Sequence, residues 1–502
     1  MMRLSDGVGL NSPTHSADSL LLGVDVGTSS LKVLFLSLEG VVIDKAEAKI
    51  SSDYGPGGKA EQNAMDYLQG LKKVLAKKSR LLSRVVAIGL SGQTPSLVCI
   101  DEKGEPTTPV LTWQDNRPVQ EAKDLEEKFG NPMEVVGTSL PWSASACPAK
   151  LLWLSRHRPE IIRKTRWLLQ PKDFIGFHLT GEAISDPWST KGICNVESLK
   201  AITPLMKFVG WGPEKMPKLQ DGYVSRGKLT PYAAFFFGFP NIGIPVSTGW
   251  SDAMSGMLSL GVFTEPSAFI FTGTSAIVGI STQTPPKDGK NLYIIPKTCA
   301  PLSVLYGPTQ SSGSAISWFG QQHLLTPDEV IDEAVKSTKK SVPVFTPYLS
   351  GERAPIWRSD IRASFFGLGA EDAVCDLSRS VLEGISFGER HVLEVAMLGL
   401  GQSTSLIKLG GHAGKDPRWD VIRLRTLGTN LRRYKDEETT TRGAAMLAAT
   451  LVGYSLSDAV IALQAPNSLS TPNLEQIDYS GKNYARFLLA SRLTATFADS
   501  KS

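Results

Sequence analysis

Three apolar, β-like runs, Leu20 to Val26, Leu31 to Leu36 and Val41 to Ile50, lie close together and are joined by a turn at Gly27 and another at Glu39-Gly40; this spacing predicts an antiparallel meander. Met65, Leu68, Leu71 and Leu75 then fall on one helical face with lysines opposite, which predicts a helix covering that sheet. Val85 to Leu90 reads as a buried strand running into Ser91-Gly92-Gln93, and ligands in such sheets collect at the carboxyl ends of strands. Helices are predicted over Pro148 to His157, where proline suits the first turn, and over Lys172 to Leu179. The small residues Ala253, Ser255 and Gly256 after Gly249-Trp250-Ser251-Asp252 predict a tightly packed helix.

The pattern then restarts. A hairpin is predicted from Ala268 to Phe271 and Ala276 to Ile280, followed by a strand at Leu406 to Leu409, a turn at Gly410-Gly411, a helix at Arg418 to Leu427 and an alanine-rich closing helix at Arg442 to Val452. Strand, turn, strand and helices, written twice, imply an α/β protein of two duplicated domains with a cleft between the copies. The expected units are residues 20–261 and 262–502 with no long linker, after a disordered leader over residues 1–19.

Composition narrows the class without naming an activity. A length of 502 residues is room for roughly two to four domains. Charged residues at 20% and a net charge of +4, with no arginine-rich stripe, argue against nucleic acid as the main partner. No apolar stretch reaches the roughly 18 to 20 residues that cross a bilayer. Cys99, Cys147, Cys194, Cys299 and Cys375 are scattered and form no C-x-x-C pair, so they read as buried thiols of a reducing, cytoplasmic protein. His157 and His412 lack metal-ligand spacing with other His or Cys, so no zinc site is expected.

The chemistry enters with a repeated phrase. Asp25-Val26-Gly27-Thr28-Ser29 returns as Gly273-Thr274-Ser275, each between two β-like runs. Glycine and small hydroxyl residues at such turns let backbone N–H groups approach phosphate oxygens, and two of them can grip one polyphosphate from opposite sides. That predicts a two-lobed, nucleotide-dependent phosphotransferase. Such an enzyme needs a carboxylate to take the acceptor's proton, and Asp252 is the candidate base, at a helix start whose dipole is expected to keep it ionised. An isolated Asp there is more often a plain N-cap. Asp25, at a strand end beside the first turn, is the candidate Mg²⁺ holder, against the plainer reading of a turn-stabilising Asp.

These residues, with Gly92-Gln93, Trp113-Gln114-Asp115-Asn116-Arg117, Lys150-Leu151-Leu152-Trp153-Leu154, Pro171-Lys172-Asp173, Tyr348-Leu349-Ser350-Gly351-Glu352-Arg353 and Gly410-Gly411, occur in the order seen in FGGY carbohydrate kinases, and the chain resembles xylulokinases most from about Leu20 to Leu451. The resemblance implies an actin-like ATPase (ribonuclease H-like) fold, with ATP and Mg²⁺ in the cleft, a small sugar or polyol beneath the γ-phosphate, and transfer to a ketose or polyol hydroxyl, foremost a pentulose such as xylulose. It implies that Thr28, Ser29, Thr274 and Ser275 serve the β- and γ-phosphates, that Gly410-Gly411 lies by the adenosine, against the plainer reading of a structural turn, and that Gln93, Thr94, Trp113, Asp115 and Arg117 lie beside the sugar, against a plain loop ion pair of Asp115 and Arg117; Trp318 is read beside the adenine or as a core aromatic. Lys150 and Trp153 are expected to pack beneath that site and Glu352-Arg353 to form an interdomain ion pair.

The chain departs from the resemblance where specificity resides. It has Thr94-Pro95 where xylulokinases read Met-His, Ala253 where they place an asparagine, and His412 and Lys415 in the adenosine loop. An alternative reading, a nucleotide-binding regulatory pseudokinase of the same fold, draws on Pro95 and Ala253; a movement-generating ATPase is a third. A homodimer is left open.

Overall fold

The computed structural model describes residues 16, 18–139, 141–286, 288–411, 416–436 and 438–500. His412, Lys415 and most of the expected leader therefore lie outside the described residues. The first sheet is built on the predicted meander, β1 (Leu20–Val26), β2 (Ser30–Ser37) and β3 (Val42–Lys49). β4 (Val85–Gly92) lies parallel to β1 on its other side, with Asp25 opposite Ser91; β5 (Ser225–Lys228) and β6 (Pro245–Ser247) extend the order to β5-β6-β4-β1-β2-β3, and the short strand Trp250–Ser251 also pairs with β4. One face is covered by α1 (Ala64–Ala76), whose Leu68, Leu71 and Leu75 are buried at the predicted spacing against Leu22, Val24 and Val33. Asn63 caps that helix through the Met65 amide.

The second sheet repeats this plan. β7 (Ala268–Thr272) and β8 (Ala276–Thr282) form the predicted hairpin, β9 (Tyr293–Ile295) and β10 (Ser303–Pro308) extend it antiparallel, and β11 (Leu406–Gly410) and β12 (Asn430–Tyr434) add on parallel to β7. With β13 (Asn467–Ser470) the order is β9-β10-β8-β7-β11-β12-β13. Each sheet thus carries an antiparallel meander whose first strand pairs in parallel with a later one. That is the duplicated α/β architecture read from the sequence.

Between the sheets lie two helices made of small residues. α4 (Asp252–Ser259) and α8 (Thr439–Ala449) share one apolar core with side chains from both sheets, including Leu34 and Ala87 of the first and Phe269 and Val304 of the second. The backbones almost touch. A Cβ on Gly443 of α8 would stand 1.9 Å from the Ser255 carbonyl oxygen of α4. On the sheet side, a Cβ on Gly23 would meet the Thr441 oxygen at 2.1 Å and one on Gly89 the Ala444 oxygen at 1.7 Å. A helix from the second half of the chain therefore rests directly on the first sheet.

Two readings need correction. The alanine-rich helix does not close the chain: α9 (Leu474–Asp499) follows, unannounced because its apolar face is interrupted by polar residues, and its Phe487 packs with Tyr348, Ile361 and Phe387 in the second lobe. Of the five cysteines four are buried and Cys375 is partly exposed. No helix among the described residues is long and apolar enough to cross a membrane.

Gly89→Ala should cost on the order of 1–3 kcal/mol of folding stability, because its methyl has no room against a backbone oxygen, and calorimetric or denaturant unfolding measures it. Gly481→Ala, in a helix with nothing near the new methyl, should instead stabilise by roughly 0.5–1 kcal/mol.

Candidate active site

A cavity of about 290 Å³ opens between the two sheets, and both lobes contribute to its wall. The first lobe supplies Thr28, Trp113 and Asp252, and the second supplies Ser275, Tyr293 and Arg353. The two repeated turns therefore reach one space. In each turn the glycine amide is spent locally: Gly27 N–H donates to the Ser30 carbonyl at 3.0 Å and Gly273 N–H to the Ser275 carbonyl at 2.7 Å. These bonds close the turns and leave Ser29 and Thr274 exposed at the tips. A Cβ on Gly273 would meet only the Ser275 oxygen, at 3.7 Å, so a bare space lies over that turn. The N-terminal amides of α5 (Gly313–His323) fix the second turn, Gly313 donating to Gly273 O at 3.0 Å and Ser314 to Thr274 O at 3.1 Å.

Asp252 opens α4, one residue past the cap, where the Ser251 hydroxyl accepts from the Met254 amide at 3.3 Å. Its own Oδ1 accepts from the Ala253 amide at 2.7 Å. Burial, and next the negative charge of Asp25, push its pKa up to about 7; the Ala253 amide and the Lys191 ammonium oppose this and lose. The expectation that the helix dipole keeps Asp252 firmly ionised is thus corrected: loss of hydration outweighs a partial charge at the helix end. Asp25 sits at the end of β1. Its Oδ2 accepts from Thr440 Oγ1 of α8 at 2.9 Å, while Oδ1 is buried without a hydrogen-bond partner. Burial raises its pKa as well, against the pull of the Ser91 and Thr440 hydroxyls.

The expected sugar contacts divide into two layers. Thr94, Trp113 and Thr28 line the cavity, with Trp113 Nε1 donating to Thr28 Oγ1 at 2.9 Å. Gln93, Asp115 and Arg117 do not line it, and their assignment as sugar contacts is corrected. Gln93 is wholly buried, its amide donating to Gln62 Oε1 at 2.9 Å while its oxygen accepts from Ser96 Oγ at 3.2 Å. Asp115 is wholly buried too, accepting from the Ala60 amide at 3.1 Å and pairing with Arg117, which also bonds Glu61 at 2.7 Å and lies over the Trp153 ring. These side chains brace the loop that presents Trp113. Lys150 packs beneath the wall as expected, donating to the Pro95 carbonyl at 2.7 Å, and burial brings its pKa down to about 8.

On the second lobe, Trp318 stacks on Phe345 at 6.1 Å in an apolar cluster and is not brought to the cavity. The glycines at 410 and 411 have a packing explanation: a Cβ on Gly410 would strike Leu260, and Gly411, with φ of +88°, would strike the Thr272 backbone at 2.2 Å. The expected interdomain ion pair is absent from the described residues. Glu352 instead accepts the Gln310 and Arg353 amides at 2.5 and 2.8 Å, and burial pushes its pKa up to about 7. Arg353 donates to the Thr309 carbonyl at 2.6 Å.

Sequence reasoning missed Trp188, Lys191, Tyr293 and Tyr306, all on the wall. Only Lys191 left a trace, as a lone charge in the otherwise uncharged run Trp188 to Asn195.

Comparison with known proteins bears on the whole chain. Residues 20–259 match the family model of the FGGY family of carbohydrate kinases, N-terminal domain, and residues 268–452 match its C-terminal domain. The chain is similar to a xylulose kinase of Staphylococcus xylosus, 26% identical over 442 residues that cover 86% of this chain and 90% of that protein. It is similar to a gluconokinase of Bacillus subtilis, 26% identical over 386 residues covering 74% and 75%. Among solved structures it resembles a xyloylose kinase from Brucella ovis, with a TM-score of 0.87 at 23% identity over 95% of this chain and all of that one. A gluconate kinase from Lactobacillus acidophilus matches with a TM-score of 0.86 at 22% identity over 96% and 100%.

The raised pKa of Asp252 has a consequence for stability. The folded protein binds this proton far more tightly than the unfolded chain, whose aspartate titrates near 3.8. The group therefore costs stability as pH rises through that window, and the cost is complete above about 7. Asp252→Asn should stabilise the fold at pH 8 by on the order of 2–4 kcal/mol, each tenfold in proton affinity being about 1.4 kcal/mol. The gain should vanish below pH 4 in denaturant titrations.

Proposed function

We propose how phosphoryl transfer runs in a chain that belongs to the FGGY family of carbohydrate kinases: Asp252 takes the proton of an acceptor hydroxyl held in the cavity while the turns at Gly27 and Gly273 hold the donor phosphates. The chain is a sugar kinase, an enzyme that phosphorylates an alcohol group of a small carbohydrate, and carbohydrate kinases of this family use ATP. The observation that carries the proposal is convergence: Thr28, Asp252 and Ser275, from both lobes, line one cavity.

A general base works best with its pKa near the working pH, and burial holds Asp252 there. Ionised, it accepts the acceptor's proton as that oxygen attacks the γ-phosphorus, the bond from that phosphorus to the bridging oxygen breaks and ADP leaves. Ser29 and Thr274, exposed at opposing turn tips, supply hydroxyls towards the phosphates from the two lobes. The lobes enclose the acceptor, which keeps water from replacing it.

Asp25 fits a Mg²⁺ ion. Its buried Oδ1 lacks a partner, and a cation there would answer the like charges of Asp25 and Asp252. Among the described residues no group of three or more His, Cys, Asp or Glu forms a protein cage, which suits an ion that takes one or two carboxylates and completes its shell with water and substrate phosphates. Bound by Asp25, Mg²⁺ would neutralise charge on the transferring phosphate.

The acceptor is read as a small polyhydroxy compound, on the names of the relatives. Relatives named xylulose kinase speak for a pentulose and one named gluconokinase for a sugar acid. A regulatory protein without transfer gains no support from any of these relatives.

Asp252→Asn should lower kcat at least ~10³-fold, the scale of general-base loss, in a coupled ADP-release assay, while calorimetry finds ADP binding within a few-fold of wild type; full activity in that variant removes Asp252 as base. For the wild type, kcat/KM should climb with pH and reach half its plateau near 7, where Asp252 becomes ionised. A flat profile from pH 5.5 to 8.5 contradicts the assignment.

A further inference from the structure

Behind the Gly27 turn lies a run of amides and hydroxyls that the transfer step does not use. Gln62 ends the short strand Lys59–Gln62, just ahead of α1, and is buried. Its Nε2 donates to the Thr28 carbonyl at 2.6 Å and to Ser52 Oγ at 2.9 Å, while its Oε1 accepts from Tyr67 Oη at 2.6 Å and from Gln93 Nε2 at 2.9 Å. Gln93 carries the run onward. Its Nε2 also donates to the Gly27 carbonyl at 3.4 Å, and its Oε1 accepts from Thr28 Oγ1 at 3.3 Å and from Ser96 Oγ at 3.2 Å. A side-chain amide has two N–H donors and an oxygen with two lone pairs, so both glutamines are saturated.

Two main-chain carbonyls dictate the direction of these bonds. The oxygens of Gly27 and Thr28 can only accept, so each glutamine turns its N–H groups towards the turn. The Gln93 oxygen is then left facing the hydroxyls of Ser96 and Thr28, which must donate to it. With its one proton spent there, Thr28 Oγ1 accepts from Trp113 Nε1 at 2.9 Å, and Ser96 Oγ likewise accepts from the Trp113 backbone N–H at 3.1 Å. Thr28 and Trp113 both line the cavity, whereas Gln62, Gln93 and Tyr67 do not. One pair of buried amides thus holds the first repeated turn and the aromatic wall together.

We propose that Gln62 is a positioning residue that couples the donor turn to the acceptor wall: through Gln93 it sets Thr28 and Trp113 as one unit, so that ATP and the acceptor are placed relative to each other. This rests on the reading of the Gly27 turn as a holder of the donor phosphates, and goes beyond it by adding a residue that touches neither substrate. A fully satisfied buried network is rigid, and removing one member leaves carbonyls and hydroxyls unpaired. In-line transfer magnifies such slack, since a misplacement of about 1 Å can cost on the order of 100-fold in rate.

The test compares Gln62→Met, which keeps the length of the side chain and removes its amide, with Tyr67→Phe, which removes only the hydroxyl that orients Gln62, and Trp113→Phe, which removes the indole N–H. Coupled ADP release with Mg²⁺ is followed on whichever of the two D-pentuloses, D-xylulose and D-ribulose, or D-gluconate the wild type turns over fastest. Gln62→Met should lower kcat/KM at least about tenfold, with KM raised for ATP and for the acceptor together. Tyr67→Phe, the milder change, should show the same paired shift at about two- to fivefold, the scale of one neutral hydrogen bond. The losses should overlap: Gln62→Met combined with Trp113→Phe should be at least about threefold more active than the product of the single losses. Wild-type kinetics in Gln62→Met, a rise in KM for one substrate alone, or losses that simply multiply each overturns the proposal. Hydrogen–deuterium exchange without substrates separates it from the kinase reading. Both Gln62→Met and Tyr67→Phe should speed exchange in peptides covering Gly27 to Ser30 and Trp113 and leave β7 of the second lobe unchanged. Such exchange in a protein that phosphorylates none of these acceptors would count against the transfer mechanism and keep the coupling; unchanged exchange at Trp113 would sink the coupling alone.

Discussion

The structure depends on backbone meeting backbone where α8 crosses α4 and lies on the first sheet. Gly23, Gly89 and Gly443 each stand where a single methyl would enter a carbonyl oxygen. The approach brings the main chain of α8 within van der Waals distance of β1, β4 and α4, and the alanines at 445, 448 and 449 fill what remains. Everything chemical hangs from these crossings. Asp25 ends β1, Asp252 begins α4, and Thr440 lies in the first turn of α8. Were the helices a side-chain layer further apart, near the 8–10 Å of ordinary helix packing, Thr440 would not reach Asp25 and the two carboxylates would not sense each other.

Much of the architecture was legible because it is local. The meander, the hairpin restarting at Ala268 and the helix carrying Leu68, Leu71 and Leu75 follow from periodicity within a few turns of chain. The repeated turns were legible too, since glycine followed by small hydroxyl residues between strands is a local statement. What the sequence did not carry is direction. Gln93, Asp115 and Arg117 have the chemistry of sugar ligands, yet they bond behind the wall, Gln93 to Gln62 and Ser96 and Asp115 to Arg117, and nothing in a run of residues says which side of a loop faces the cavity. Lys191, Trp188 and the two tyrosines were missed for the complementary reason: they lie in segments that read as ordinary core and meet only when the lobes are assembled. The contact of α8 with the first sheet is likewise a property of the assembled protein, invisible to any window of sequence.

Charge is arranged in two depths around the site. Beneath the wall, Lys172, Asp173, Asp186 and Arg226 are buried together, with Lys172 bonding Asp173 at 2.6 Å and Asp186 at 2.9 Å. Such a network is poor value as stabilisation, since desolvation cancels most of the attraction. Its use here is positional: Asp186 Oδ2 accepts from the Ser189 amide at 3.0 Å, fixing the turn that carries Trp188 and Lys191 onto the wall. At the surface of the cavity the balance is different. Asp252 on the wall and Asp25 buried at the end of β1 each carry a raised pKa, and the ammonium of Lys191 offsets only part of the rise at Asp252. Compensation is thus complete in the frame and incomplete at Asp25 and Asp252.

The hydrogen bond from Thr440 to Asp25 joins residues 415 positions apart. Each half of the molecule has its own sheet, and the resemblance of the sheets speaks of an ancestral unit copied in tandem. Yet the first copy now borrows a hydroxyl, and the helix beneath it, from its sister. Taken alone, the first copy would lose both the partner of Asp25 and the helix that lies on its sheet. A fold that began by repetition has become indivisible, and later change at one end of the gene is constrained by the other.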